Sequence, residues 1–114
     1  MTEVRLPAHL EVASLIRLVT TEGGFAAVLH KGHREAGTLL VVLTENGANS
    51  AAYERMPQAD GSRKWTCSRR AIDHNPSEFS EYVARRSGQD PDLWVIELDI
   101  VRGERFIGLD AMNR

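Results

Sequence analysis

A chain of 114 residues with 42% hydrophobic and 26% charged residues has the composition of one soluble α+β-sized domain, 1–114, which needs no metal or disulfide to hold it. Its formal charge of -2 excludes the strong basic excess of a dedicated nucleic-acid binder, though a local patch stays open. A single cysteine, Cys67, forms no intrachain disulfide and no apolar run reaches the roughly 20 residues of a membrane helix, so the cytoplasm is the default compartment.

Leu6 to Glu22 reads as a first helix, because Val12, Leu15, Ile16 and Val19 recur at helical spacing. Pro7 suits its first turn, and Gly23-Gly24 supplies a left-handed stop. Phe25 to His30 is short, apolar and bounded by glycines, which favours a strand. Gly37 to Glu45 is apolar at both parities and therefore predicts a strand covered on both faces. Asn46-Gly47 turns the chain into a third strand, Ala51 to Met56, closed by Pro57. Asp60-Gly61 turns it again into Arg63 to Arg69, where Trp65 and Cys67 alternate with polar residues. The economical arrangement of Phe25 to Arg69 is an antiparallel meander, with each strand beside the next.

Asn75-Pro76-Ser77-Glu78 has the form of a helix start. The second helix presents Phe79, Tyr82 and Val83, carries Arg85 and Arg86 near its end, and stops at Gly88. The stretch Gln89 to Val101 is the clearest strand: Trp94, Ile96, Leu98 and Ile100 share one face, and Val95, Glu97 and Asp99 the other. Phe106-Ile107 is expected to pair back as a short terminal strand.

The ordered set Gly23-Gly24-Phe25, Lys31-Gly32, Ala36-Gly37, Tyr53-Glu54-Arg55-Met56-Pro57, Arg85-Arg86 and Asp90-Pro91-Asp92-Leu93-Trp94 resembles a family of short alphaproteobacterial proteins, domain of unknown function 1491. The resemblance spans nearly the whole chain. It implies a bacterial, cytosolic protein and brings with it no activity, cofactor or catalytic residue.

The chemical constellations are sparse. His30 and His33 have the spacing of a metal pair, but His9, Cys67, His74 and Glu35 complete no zinc pattern. Cys67 fits a small core residue better than a nucleophile paired with His74, and no serine sits in a nucleophile elbow. Gly23-Gly24 follows a helix and precedes a strand, the reverse of a phosphate loop. Asp90 and Asp92 are expected to order the strand entry and to pair with Arg85 or Arg86, while Glu97 and Asp99 keep the outer sheet face wet. No catalytic, metal or cofactor residue is assigned, and the reading leans away from an enzyme without excluding a site between the sheet and the first helix.

The expected fold is α+β: an antiparallel sheet of about five strands, with both helices packed on one face. The opposite face would then expose Leu40, Val42 and Val95 beside Glu97, and a homodimer or another cytosolic protein would cover it. The function expected is therefore a small non-enzymatic protein-interaction module, self-associating through its sheet face or edge. The alternative is an RNA or single-stranded DNA accessory protein using Arg63, Lys64, Arg69 and Arg70 around Trp65.

Overall fold

The computed structural model describes residues 6–71 and 76–109. In chain order the elements are α1 (Ala8–Thr21), β1 (Phe25–His30), β2 (Leu39–Glu45), β3 (Ala48–Pro57), β4 (Arg63–Arg70), α2 (Pro76–Gln89) and β5 (Trp94–Asp99). A short 3-10 helix, Gly103–Ile107, stands where a terminal strand was expected from Phe106-Ile107. The expected cap residue Asn75, and His74, lie outside the described residues.

Local chemistry sets the turns. Gly23, at φ +93°, takes the left-handed conformation after α1, and the Gly24 amide donates to the Val19 carbonyl at 2.9 Å, closing the last turn. Asn46 and Gly47 both have positive φ, 53° and 78°, as a type I′ hairpin between β2 and β3 demands. α2 does not stop at Gly88; it runs through it to Gln89.

The sheet is mixed, and its order β1-β5-β2-β3-β4 corrects the meander. β5 inserts between β1 and β2, antiparallel to the first and parallel to the second. Only β2, β3 and β4 keep the hairpin neighbours that the sequence order implies. The reason is α2: it carries the chain from β4 across the sheet, so that β5 re-enters in β4's direction and takes an interior place between β1 and β2.

That crossover also corrects the placement of the helices, which cover opposite faces. α1 buries Val12, Leu15 and Val19 against Leu39, Val41, Leu43, Tyr53, Trp94, Ile96 and Leu98. Phe79 of α2, with Tyr82 and Val83, packs over Leu40, Val42, Ala52, Leu93 and Val95 on the other side. β2 is buried at both parities because it lies between two helical layers. Each fully buried Leu or Val there contributes about 1.5–3 kcal/mol of hydrophobic transfer.

β3 fastens both layers with consecutive residues. Arg55 pairs with Glu11 of α1 and lies 4.5 Å from the Trp65 ring centroid, whereas Glu54, on the opposite face, accepts from Arg86 of α2 at 2.6 Å. Arg86 thus goes to Glu54, and Asp90 instead accepts the Asp92 amide in a turn that leads into β5.

Candidate functional site

The histidines with metal-like spacing, together with His9, are occupied in holding one connection. β1 and β2 are separated by β5, so the link 31–38 must span roughly 10 Å, two strand spacings, over the point where β5 begins. His33 Nδ1 accepts from the Glu35 and Ala36 amides at 3.2 and 3.0 Å, and the indole N–H of Trp94 donates to the His33 carbonyl at 2.7 Å. His9 Nδ1 donates to the Arg34 carbonyl at 3.0 Å. His30 Nδ1 donates to the Leu93 carbonyl at 2.7 Å, which leaves Nε2 as an acceptor. Gly32 and Gly37 pack so closely on the Asp92 carbonyl that a β-carbon at either position would overlap it. Among the described residues no group of three or more His, Cys, Asp or Glu side chains is placed to hold a metal ion. Cys67 is a free thiol, partly buried against the α1-side core.

The two edges of the sheet differ in chemistry. On β4, the register sends Arg63, Trp65 and Cys67 to the α1 face and Lys64 to the α2 face. A bulge opposite Ala52/Tyr53 then places Arg69 on the α2 face and Arg70 on the α1 face. Arg63 donates to the Arg55 carbonyl at 3.2 Å, and Arg69 lies 5.2 Å from the Tyr82 ring centroid. The four basic side chains therefore divide between the faces and guard one edge. β1, the other edge, reads Phe-Ala-Ala-Val-Leu-His and bears no Lys, Arg, Asp or Glu. Its Phe25 is 76% exposed, Leu29 53% and Val28 44%.

The apolar face residues Leu40, Val42 and Val95 lie under α2, so this chain's own helix supplies cover that a partner was expected to give. Cover is incomplete. Tyr82 donates to Ser68 of β4 at 3.1 Å, and a groove of about 500 Å³ lies between α2 and the sheet, reaching from His30 of β1 and Val95 of β5 across Val42 of β2 to Ser50 of β3. Val42, Phe79, Val83 and Val95 line it, and half-buried Glu97 stands on its floor between Val42 and Ala27 of the neighbouring strands. The sequence pointed to Glu97 as a residue of a wet face that a protein partner would cover, not as part of a groove; the groove depends on where α2 sits, which no spacing records.

Electrostatic perturbation lies elsewhere. Burial, and after it the Glu104 carboxylate, raises the Tyr53 phenol above its usual range, against an opposing pull from Arg70. Hydrogen bonds from the Ser62 hydroxyl and amide hold the exposed Asp60 carboxyl below its usual range in the β3–β4 turn.

Comparison with known proteins shows the family and a shared fold. A family model described as "Protein of unknown function (DUF1491)" matches residues 6–108. The crystal structure of a DUF1491 family protein from Caulobacter crescentus CB15 is similar at 30% identity and a TM-score of 0.76, covering 90% of this chain and 94% of that one. An NMR structure of a DUF1491 family protein from the same organism is similar at 29% identity and TM-score 0.76, over 92% and 94% of the two chains. The solution structure of an A. tumefaciens protein gives 27% identity and TM-score 0.74, over 93% and 95%. No functionally curated protein matches the chain.

Proposed function

We propose that this chain, which belongs to the DUF1491 family of proteins of unknown function, is a small non-enzymatic interaction module that pairs with a second copy of itself through the free edge of β1. The observation that carries the reading is the contrast between the edges. An edge strand offers a row of unpaired amides and carbonyls to any incoming strand, and charged side chains are a common guard against this. β4 has Arg63, Lys64, Arg69 and Arg70; β1 has no formal charge and presents Phe25, Val28 and Leu29.

The ends of β1 favour a second copy as the occupant. Exposed Glu22 precedes the strand and exposed Lys31 follows it, so an antiparallel two-fold pairing brings the acid of one copy toward the lysine of the other. The register shift between Val28 and His30 ends the regular part of the strand and confines pairing to Phe25–Val28. A cytoplasmic setting is part of the same proposal, supported by the free thiol of Cys67. The nucleic-acid alternative has weaker support, since the basic residues of β4 divide between two faces.

Sedimentation equilibrium on the wild-type chain and on Phe25→Lys/Val28→Lys tests this. The wild type is expected to show a monomer–dimer equilibrium that the double variant weakens by about tenfold or more, roughly 1.4 kcal/mol. Lys64→Ala on the opposite edge should leave it unchanged. A wild type that stays monomeric into the hundreds of micromolar, or a dimer indifferent to the β1 changes, would overturn the reading.

A further inference from the structure

We propose that the groove between α2 and the sheet binds a small organic cation, a protonated amine carried on an apolar body. The groove's volume of about 500 Å³ lies within the range of small-molecule sites, and its walls are largely apolar, with Val42, Phe79, Val83 and Val95 contributing. Its length, taken as the rise of α2 from Phe79 to Ser87, is roughly 12 Å. That suits an occupant of molecular rather than protein size.

The polar groups set the sign of the ligand. Glu97 forms no hydrogen bond or ion pair with the described residues, although its cross-strand neighbours Ala27 and Val42 leave it in apolar company. His30 donates through Nδ1 to the Leu93 carbonyl, so in the neutral ring Nε2 has only a lone pair to offer. Ser50 donates to Thr44 Oγ1 at 3.2 Å and Ser87 to the Ala84 carbonyl at 3.0 Å, which leaves both hydroxyl oxygens as acceptors. Ser80 on the rim is the lining hydroxyl whose proton is uncommitted among the described residues. A carboxylate and several acceptors beside an apolar wall complement an ammonium head with an alkyl or aryl tail. They oppose a fatty acid or a phosphate, which would meet Glu97 as a like charge. In a partly dry groove, the attraction between ammonium and carboxylate is less screened than at the open surface.

The inference does not depend on pairing at β1, and Phe25→Lys/Val28→Lys retains every polar group of the groove. Isothermal titration with n-octylammonium, n-octanoate and n-octanol, followed by amide chemical-shift mapping, tests it. Octylammonium is expected to bind and to shift the amides of Val42, Ala84, Val95 and Glu97; octanoate is expected not to bind, and octanol to bind at least tenfold more weakly. Glu97→Gln should weaken octylammonium at least tenfold, and Ala84→Phe, which fills the groove from an exposed position on α2, should abolish binding while the remaining amide spectrum stays folded. Failure of octylammonium to bind, equal binding of octanoate, indifference to Glu97→Gln, or shifts mapping away from the groove would each overturn the proposal.

Discussion

The Tyr53 hydroxyl points from β3 toward the 3-10 helix, where it donates to Glu104 at 3.4 Å, and burial makes its ionised form costly. Its pKa in the folded chain lies above 10.0, so between 10.0 and that raised value the folded state holds a proton that the unfolded state has lost. The stabilisation is therefore complete below pH 10.0 and declines as pH rises through the folded-state value. Tyr53→Phe should flatten the alkaline fall of the urea midpoint relative to the wild type, with the difference appearing only above pH 10.0. Glycines give a second contrast at this scale. Gly37 is buried against the Asp92 carbonyl and lies 3.0 Å from Trp94 at the β-carbon position, whereas Gly88 in α2 has nothing within 4 Å. Gly37→Ala should cost on the order of 2 kcal/mol, because the connection over β5 must lift. Gly88→Ala should instead gain about 0.5–1 kcal/mol by helix propensity alone. Urea unfolding of the two variants checks both signs.

Among the elements, β5 and β1 stand at opposite ends of the stability range. β5 is paired on both sides and lies between two helical layers, with Val95, Ile96 and Leu98 fully buried. β1 pairs on one side only and exposes Phe25, Val28 and Leu29. Native-state hydrogen exchange should find the slowest amides in β5 and β2, opening only with global unfolding, and faster exchange in β1. Slowing of β1 exchange with protein concentration would accompany pairing of its free edge; uniform protection across β1 and β5 would contradict this ranking. α2 has a different role. Phe79, Tyr82 and Val83 pack on the apolar centre of its face, Tyr82 and Arg86 bind Ser68 and Glu54, and the groove is the part of that face left uncovered.

At the level of the whole molecule, the positions of the five main strands, though not all their ends, were legible because they depend on neighbours in sequence. The alternation from Trp94 to Asp99, the Asn46-Gly47 turn and the Val12/Leu15/Val19 stripe each follow from local geometry and all appear in the structure. The family, too, was written in the chain, and its marks prove to be structural: Gly32 and Gly37 make room for Asp92, and Glu54 and Arg55 tie β3 to the two helices. One signal of the inserted strand was present as well. The link 31–38 has eight residues where the β2–β3 turn has two, too long for a tight hairpin and long enough to cross β5. What the sequence alone could not decide was which face α2 would take and which strands β5 would separate. A stripe such as Phe79, Tyr82 and Val83 fits either side of a sheet equally, and β2, apolar at both parities, accepts a helix on both. Only the crossover from β4 to an interior β5, a long-range packing choice, placed α2 opposite α1, covered Leu40, Val42 and Val95, and left Glu97 in a groove and β1 at an unguarded edge.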